Sequence, residues 1–498
     1  MADTTARGGT LVVRGGELIE AGAPARRADI LVRDGMIEAV GEVEAPAGAR
    51  ELDARGDYVV PGLINAHYHS NENFNPGLYE NLPLDLWFVH SHQVTRHAPP
   101  APDVIYARTM LGAMQMLRTG TTAVVDFVFE APEISVETLE PIVRAYRDAG
   151  MRATVLLGVA DKQFSDSLPL DESERASWSD EASPPTVERI LEVGREAIDR
   201  WHEPDGLIGI GFGPSAPQRC SERLFVETLE LARSRSLAWQ THVLETKTQA
   251  WTARSWHDGR SFVEVLDERG MLGDHASLVH TVWLTDRDIE ALARTRTTAV
   301  HCPYSNLRIG DGIARVPAMR RAGVRIGLGT DGRGCDETLD MLELTRVTAL
   351  LHKPKGEHHS RWPTADDALS MVTREGSICT GHGDRLGRIE PGAHGDLLVV
   401  RGDGIAFTPV HDPVRQFVYG GASRDLRAVV VAGEVTVEDD RLTRVDEQEM
   451  LARAREAAAA EMPYLTGGDG AAKLEAIVEG MHRRAESQAL DVDAYIPA

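Results

Sequence analysis

Cysteine, lysine and long apolar runs are all scarce in this chain of 498 residues. The four cysteines, Cys220, Cys302, Cys335 and Cys379, are too few and too scattered for a disulfide framework or a Cys-x-x-Cys metal site. No apolar stretch approaches the ~18–20 residues that a membrane helix needs. The first residues also lack the apolar segment of a secretory signal. These absences predict a cytoplasmic protein.

Positive charge is also in short supply. The chain has 77 acidic and 53 basic residues, which gives a formal net charge of −24. Such a surface repels phosphate backbones and anionic lipid, so the composition argues against nucleic-acid and membrane partners. A small-molecule substrate is the partner that we expect.

Both ends of the chain show the alternating pattern of antiparallel strands. Residues 1–60 and 385–445 contain short apolar–polar runs broken by glycine and aspartate turns. We therefore predict one small composite β-sandwich domain that is built from both chain ends.

The centre of the chain, residues 61–384, alternates short apolar runs with segments of helical spacing. Eight strands are predicted, near residues 58–65, 121–127, 152–159, 207–213, 237–242, 276–282, 297–302 and 324–331. Eightfold strand–helix alternation predicts an α/β fold of the (β/α)8 TIM-like barrel type.

Three further segments interrupt or extend this pattern. Residues 70–98 follow the first strand, and the polar residues 161–186 are expected to form a surface excursion or lid. Residues 446–498 are expected to form a helical extension, which packs on the outside of the barrel or on a neighbouring subunit.

Ionisable residues fall at the predicted strand ends, where barrel enzymes place their chemistry. His67 and His69 are two apart at the end of the first strand, so their imidazoles share one face. His242 ends the fifth strand and Asp331 ends the eighth. Three imidazole nitrogens and one carboxylate oxygen are a plausible ligand set for a divalent metal.

Two more ionisable residues belong to the same mouth of the barrel. His280 ends the sixth strand, and Glu245 lies three residues after His242 in the loop above it. Six such groups at one mouth indicate a catalytic site rather than coincidental core or surface residues.

The sequence resembles the amidohydrolase superfamily, in the branch of cytosine, guanine and adenosine-type deaminases and triazine hydrolases. The resemblance covers roughly residues 8–440 and rests on the segments PGLINAHYH, TGTTAVVDF, HVLET, SLVHTVWLT, HCPYSNLRIGDG, GLGTD and LGRIEPGAHGDLLVV. It implies a barrel with a composite β-sandwich and a metal held by His67, His69, His242 and Asp331. A homo-oligomer is expected from the family, in agreement with the helical tail.

One departure from the family pattern bears on the metal. Binuclear relatives supply a carboxylated lysine from the fourth strand, whereas the fourth strand here, LIGIGFGPSAP, has none. We therefore expect one divalent ion, with zinc favoured, although iron fits the same ligands.

The catalytic roles follow from this ligand set. Asp331 accepts a proton from metal-bound water, His280 orients the attack, and Glu245 carries a proton to a ring nitrogen and to the leaving group. The leading function is deamination of an amino-substituted purine, pyrimidine, pterin or triazine by metal-bound hydroxide.

Three alternatives stay open. They are hydrolysis of an amide, urea or carbamate C–N bond, dechlorination of a triazine, and a catalytically silent structural homologue. The filled ligand positions and the presence of Glu245 argue against the silent homologue.

Substrate contacts are predicted at four residues, Trp87, Gln218, Arg308 and His301. Gln218 follows Pro214, Ser215, Ala216 and Pro217. Many relatives carry a histidine in a Pro-His-x-Pro motif at this place, so its absence argues against a direct transfer of the nucleoside-deaminase function to this chain. His301 ends the seventh strand, and a supporting role behind the ligands is favoured over contact with substrate. Phe74 and Arg333 are further candidates.

Several neighbouring residues have simpler interpretations. Ser305 and Asn306 are expected to cap the turn into the next helix. A nucleophilic dyad of Cys302 with His301 is disfavoured beside a complete metal set. His90, His92 and His97 could bind a second metal, but solvent-facing or loop-packing roles are favoured.

Overall fold

Two β-sheets organise the chain in the computed structural model, which describes residues 9–91, 98–130, 132–178, 182–355, 358–465 and 468–495. The larger sheet has eight parallel strands that neighbour one another in chain order. These strands are β6 (Leu63–Tyr68), β7 (Thr121–Val128), β8 (Arg152–Val159), β9 (Ile208–Pro214), β10 (Trp239–Val243), β11 (Ala276–His280), β12 (Thr298–His301) and β13 (Ile326–Leu328).

The first and last strands of this sheet meet and close the barrel. Asp331 N donates to His67 O at 3.1 Å, and Asn65 Nδ2 donates to Thr330 Oγ1 at 2.7 Å. Every residue of these eight strands is buried, as expected for parallel strands covered on both faces. The predicted TIM-like barrel is therefore confirmed.

Helices surround the barrel and carry clear start and stop signals. In α3, for example, Ser135 caps the N-terminus and Gly150 ends the helix at φ 73°. The helices are α1 (Leu84–Ser91), α2 (Pro102–Arg118), α3 (Val136–Ala149), α4 (Glu172–Ser177), α5 (Val187–Trp201), α6 (Glu222–Arg235), α7 (Lys247–Trp256), α8 (Phe262–Glu268), α9 (Asp286–Thr295), α10 (Pro303–Arg308), α11 (Val316–Ala322), α12 (Met341–Leu351), α13 (Ala365–Ser370), α14 (Pro413–Tyr419), α15 (Glu447–Leu465) and α16 (Gly468–Glu486).

The smaller sheet combines both ends of the chain, as predicted. Strands β5 and β14 pair antiparallel, with Val60 opposite Leu398, and join the two halves. Buried apolar residues of both halves, including Val32 and Val430, form one cluster. The strands are β1 (Thr10–Leu18), β2 (Arg26–Arg33), β3 (Met36–Gly41), β4 (Arg50–Asp53), β5 (Tyr58–Pro61), β14 (Leu397–Val400), β15 (Leu426–Val431), β16 (Glu434–Glu438) and β17 (Arg441–Leu442).

The apolar run at 58–65 holds parts of two strands rather than one. Tyr58–Pro61 belongs to the small sheet, and Leu63–Tyr68 opens the barrel. Gly62 lies between them, where a Cβ atom would fall 2.1 Å from Thr122 Oγ1. Glycine is therefore required where the chain passes from one sheet to the other.

The insertions and the C-terminal segment also have defined places. The segment after β6 contains α1, and the segment after β8 contains a short 3-10 helix, Ser165–Ser167, and α4. Helix α16 packs against α1 and α7, which follow barrel strands. Among the described residues, no helix is long and apolar enough to cross a membrane.

Candidate metal centre and active site

Four predicted ligands come together at the C-terminal mouth of the barrel. The ring centroid of His67 lies 4.6 Å from that of His69 and 4.9 Å from that of His242. Candidate ligand atoms fall within 4.8 Å of one another in two sets that share His67: one with His69 and Asp331, the other with His242 and His280. The donors of both sets are imidazole nitrogens and a carboxylate oxygen, which suit a divalent transition metal.

Each imidazole is oriented by an acceptor at its Nδ1 atom. These contacts join His67 to Gln240 Oε1 at 2.6 Å, His69 to the Phe127 carbonyl at 2.6 Å, His242 to the Ser215 carbonyl at 2.7 Å and His280 to Asn306 Oδ1 at 3.0 Å. An acceptor at Nδ1 holds the proton there and leaves the Nε2 lone pair available. The rings of His67, His242 and His280 therefore present the tautomer that a metal or a polarised water needs. Burial acts to lower the pKa of His69, but the facing carboxylate of Asp331 raises it to about 9.

The buried environment keeps three of these rings neutral. Burial lowers the pKa of His67, lowers that of His242 further, and lowers that of His280 to about 4. His67 Nε2 is buried and has no hydrogen bond among the described residues. A buried nitrogen without a partner is costly, and a metal ion would satisfy it.

Asp331 faces the imidazoles with one oxygen and is anchored through the other. Its Oδ1 lies 3.1 Å from His69 Nε2 and 3.4 Å from His67 Nε2. Its Oδ2 accepts hydrogen bonds from Ser305 Oγ at 2.6 Å and Cys335 Sγ at 3.3 Å. Burial acts to raise the pKa of Asp331, but the facing imidazoles outweigh it and hold the pKa well below its usual range. The carboxylate is thus ionised and fixed.

Glu245 and His280 form the second part of the site. Glu245 Oε1 lies 3.3 Å from His280 Nε2, and Glu245 Oε2 accepts from Gln249 Nε2 at 3.2 Å. Burial and the charge of Asp331 raise the pKa of Glu245 well above its usual value. A raised pKa favours the protonated carboxyl group, the form that is suited to general acid chemistry.

The backbone is strained at two of these residues. His280 has φ 68° and Asp331 has φ 65°, in the left-handed region that residues with a Cβ atom rarely adopt. Such conformations cost of order 1–3 kcal/mol each and concentrate at functional sites. Both strand ends therefore turn their side chains toward the mouth at some expense in stability.

A cavity of about 770 Å³ opens above these residues. Its floor includes His69, Glu245 and Asp331, and its walls come from loops that follow several barrel strands. The apolar lining is contributed by Leu84, Trp87, Phe88, Phe129, Phe164, Leu168 and Ile309. The mixture of aromatic walls with a polar floor suits a small heterocyclic molecule.

The structure places two of the four predicted substrate-contact residues at the cavity and two away from it. Trp87 and Gln218 line the cavity, and Gln218 Oε1 is buried without a hydrogen bond among the described residues. Arg308 is not part of the lining: its guanidinium donates to Glu337 Oε1 at 2.5 Å and to the Tyr79 carbonyl at 2.9 Å. Arg308 therefore serves the loops around the mouth.

His301, Phe74 and Arg333 also lie away from the lining. His301 is fully buried, with its ring centroid 5.7 Å from that of His352, and burial lowers its pKa strongly. Phe74 packs against Val104 and Ala107, and Arg333 donates to the Asn73 carbonyl. Neither ring nitrogen of His301 has a hydrogen bond among the described residues, so the supporting role favoured for it stays a prediction.

The structure also bears on the other roles considered for Cys302 and for the histidines of the first insertion. Cys302 is fully buried, and burial raises its thiol pKa well above the usual value, so it is a poor nucleophile. His90 lies 3.7 Å from Glu475, while His92 and His97 fall outside the described residues. Strand β9, IGIGFGP, contains no lysine, and the expectation of a single metal ion stays a prediction.

Sequence reasoning missed the residues that orient the site. Gln240 holds His67 and lies two residues before His242, a spacing that places both on one face of β10. The interpretation of Ser305 and Asn306 as caps was wrong, because both lie inside α10 and contact Asp331 and His280.

Glu72 was missed as well. It lines the cavity beside His69, and its Oε2 accepts from Gly334 N at 3.3 Å. Burial raises its pKa to about 8. Its position three residues after His69 was the one feature of the sequence that could have identified it as a site residue.

Known proteins resemble this chain over most of its length. The 5′-deoxyadenosine deaminase of Methanopyrus kandleri is 32% identical over 81% of this chain and 86% of its own. The 5-methylthioadenosine/S-adenosylhomocysteine deaminase of Halobacterium salinarum is 34% identical over 90% of this chain and 97% of its own. The crystal structure of atrazine chlorohydrolase from Arthrobacter aurescens TC1, complexed with zinc, has a TM-score of 0.81 and 26% identity over 90% of this chain and all of that one.

A match to a family model identifies the family of this chain directly. The model of the amidohydrolase family matches residues 58–436, a range that contains every barrel strand and all the site residues described above. This match and the histidine–aspartate cluster support a divalent metal. The chain belongs to the amidohydrolase family and is a hydrolase that acts on C–N bonds.

Proposed function

We propose that this protein is a zinc-dependent aminohydrolase that removes an exocyclic amino group from an N-heterocycle. The observation that carries the proposal is the group of Glu245, His280 and Asp331, whose polar atoms lie within 4.8 Å of one another at the floor of an aromatic cavity. Such a group joins a proton donor to a neutral imidazole and an ionised carboxylate. The deaminase names of two relatives support the same reaction.

His67, His69, His242 and Asp331 are the residues that would hold the metal. When bound, a divalent cation lowers the pKa of water and polarises an electrophilic carbon. Zinc is proposed because a structural relative was crystallised with zinc and because the donor set is nitrogen-rich. Elemental analysis of the purified protein tests the identity of the metal against iron.

The remaining steps belong to the side chains of this chain. Asp331 is positioned to accept a proton from the attacking water, because Ser305 and Cys335 hold its carboxylate beside the imidazoles. His280 holds that water through Nε2, because Asn306 occupies Nδ1. Glu245 gives its proton to a ring nitrogen as the C–O bond forms. The proton that Asp331 took from water then reaches the exocyclic nitrogen, and the C–N bond breaks to release ammonia. The hydroxyl proton on the ring carbon returns to Glu245 as that carbon becomes a carbonyl.

Ammonia release from a panel of compounds tests this proposal. The panel contains 5′-deoxyadenosine, 5-methylthioadenosine, S-adenosylhomocysteine, guanine and cytosine, with the Glu245→Gln variant as a matched control. Ammonia that the wild type releases and the variant does not would support the assignment. Failure to release ammonia from any amino heterocycle would contradict it.

Dechlorination of a triazine is the second candidate. Ser215 and Gln218 occupy the segment after β9 where many deaminases place a substrate-binding histidine. The Ser215 carbonyl accepts from His242, and its hydroxyl accepts from Arg219. The structural likeness to atrazine chlorohydrolase points the same way. Chloride release from atrazine in the same assay, without ammonia from the other compounds, would favour this candidate.

Two expectations from the sequence stay predictions. They are the cytoplasmic location and the homo-oligomeric state, which cell fractionation and sedimentation of the purified protein would test.

A further inference from the structure

The walls of the cavity rest on a segment that contributes nothing to its lining. We call residues 468–495, which comprise α16 and the chain after it, the C-terminal strap. None of its described residues is among those that line the cavity. It lies beyond residue 436, where the match to the family model ends. Its contacts nevertheless converge on the wall elements.

Two wall elements are too short to be stable by themselves. Helix α1 has eight residues and supplies Leu84, Asp85, Trp87 and Phe88 to the lining. The segment after β8 supplies Phe164, Ser167 and Leu168, and the helices in its described residues are a short 3-10 helix and the six-residue α4. Helices shorter than about 12 residues depend on tertiary packing.

The strap provides that packing. Leu474, Val478 and Met481 of α16 form one buried cluster with Leu86 and Val89 of α1 and with Phe164 and Leu168 of the other wall. Phe164 also stacks on Phe88, with ring centroids 4.5 Å apart. The outer faces of both wall elements are therefore covered by the same helix.

Two polar contacts fix the strap to the same two elements. His482 Nδ1 lies 3.0 Å from Asp85 Oδ2, which also accepts from Thr248 Oγ1 at 2.6 Å. Arg484 donates to both carboxylate oxygens of Glu174, at 2.5 and 2.7 Å. Bidentate pairs of this kind set orientation as well as distance.

The strap continues across the mouth to other loops. Lys247 Nζ, at the start of α7, donates to the Glu486 carbonyl at 2.5 Å. Near the end of the strap, Ile313 N donates to the Ala494 carbonyl at 2.8 Å, and the ring of Tyr495 meets that of Trp283 edge-on. The strap thus spans from α1 to the loop that follows β12.

We infer that the C-terminal strap positions the substrate-binding walls of the cavity, with His482 and Arg484 as its two positioning residues. The inference rests on the proposed function for what the cavity binds, but the geometry of the walls can be measured without it. Loss of both contacts should loosen α1 and the 164–177 segment. The predicted metal ligands should keep their positions, because they lie on barrel strands and strand ends.

The test compares the double variant His482→Ala/Arg484→Ala with Arg483→Ala. Arg483 lies on the same helix but is exposed and pairs only with Glu479 of its own helix among the described residues. Hydrogen exchange followed by mass spectrometry should show faster exchange at 84–91 and 164–177 in the double variant alone, with the barrel strands unchanged. Zinc content should equal that of the wild type.

Kinetics provide the second measurement, with whichever panel compound the wild type turns over. KM should rise about tenfold in the double variant with kcat changed less than about twofold, because wall contacts bind substrate without entering the proton transfers. Unchanged exchange in both wall segments, or an equal fall in kcat, would overturn the inference. Faster exchange throughout the barrel would also overturn it, because the effect would not be confined to the walls. If no compound is turned over, the proposed function fails, and the exchange experiment alone decides the role of the strap.

Discussion

Glu245 Oε1 and His280 Nε2 lie 3.3 Å apart, although one residue follows β10 and the other ends β11. The neighbouring strands place them side by side, since His280 is in register with Val243, two residues before Glu245. Gln249 holds the other oxygen of Glu245, and Asn306 holds the other nitrogen of His280. Both groups are therefore fixed for proton transfer before substrate arrives.

The first prediction concerns Glu245→Gln. An amide of the same shape keeps the contacts but cannot donate and accept a proton in turn, so kcat should fall by about 10²–10⁴-fold. Zinc content and thermal midpoint should stay close to those of the wild type. Steady-state kinetics with parallel elemental analysis checks both points. Near-normal turnover would remove Glu245 from the mechanism.

The second prediction concerns the metal centre. His67→Ala together with His69→Ala should abolish metal binding and activity while the barrel stays folded, because both side chains point into the mouth beside Asp331 and His242. Elemental analysis and circular dichroism measure the two effects. The control is His411→Ala, since His411 is exposed and lies outside the site. Metal retained in the double variant would show that the centre has been misplaced.

The barrel could be predicted from the sequence because its signal is repeated. Eight apolar runs alternate with helical segments, and seven of them coincide with observed barrel strands to within a few residues. The run at 58–65 was harder, because β5 and β6 are both apolar and only Gly62 separates them. Periodicity alone does not show that adjacent buried strands belong to different sheets.

The site could be predicted only where residue type and strand position coincide. His67, His242 and Asp331 carry ligand chemistry at strand ends, so their convergence followed from the fold. The orienting contacts did not, because Ser305 and Asn306 gain their roles from the direction of α10. Arg308 shows the converse, since its charge suggested a contact with substrate, whereas in the structure it pairs with Glu337 and does not line the cavity.

The third prediction concerns Ser305→Ala. The variant removes the hydrogen bond to Asp331 Oδ2 and leaves Cys335 Sγ as the weaker donor to that oxygen. Loss of such a contact behind a ligand lowers metal affinity or activity by about 10–100-fold. Zinc titration and kcat/KM measure the change. Ser234→Ala, on the exposed surface of α6, should leave both values unaltered. An unchanged zinc affinity together with an unchanged kcat/KM in Ser305→Ala would contradict the anchoring role.

The fourth prediction concerns a buried ion pair between the two sheets. Arg152 of β8 donates to both oxygens of Asp396, at 2.9 and 3.0 Å, and both side chains are almost fully buried. Arg152→Met should lower the free energy of unfolding by about 3–5 kcal/mol, because it leaves a buried carboxylate without its cation. The double variant Arg152→Met/Asp396→Leu should recover part of this loss. Arg223→Ala, which breaks exposed pairs, should cost less than about 1 kcal/mol.

The Arg152–Asp396 pair also predicts how the free energy of unfolding depends on pH. Burial acts to raise the pKa of Asp396, but the charge and hydrogen bonds of Arg152 hold it below its usual value. Its contribution is therefore present above the unfolded pKa of about 3.9 and is lost as the pH falls through the folded pKa. Urea unfolding of wild type and double variant between about pH 3 and 7 measures this. A stability difference that grows as the pH falls would contradict it.

The last prediction is that the stabilising contribution of the C-terminal strap weakens at alkaline pH. The hydrogen bond to Asp85 of α1 raises the pKa of His482, against an opposing effect of burial, and the charges of Glu479 and Glu486 on α16 act in the same direction as Asp85. Lys247 of α7 binds the Glu486 carbonyl at the end of α16, and Arg483 and Arg484 are the cations next to His482 in the chain. Since the folded pKa lies above the unfolded value of about 6.5, the contribution of His482 is complete below that value.

This contribution is lost as the pH rises through the raised folded pKa. The Tm difference between wild type and His482→Gln should therefore be largest near pH 6 and should shrink by about pH 9. Calorimetry at several pH values measures Tm, and His411→Gln should show no such trend because its side chain is exposed. Hydrogen exchange at 84–91 should rise over the same pH interval in the wild type, after correction for the intrinsic rate. A Tm difference that grows with pH would show that the pair with Asp85 does not hold the strap through its charge.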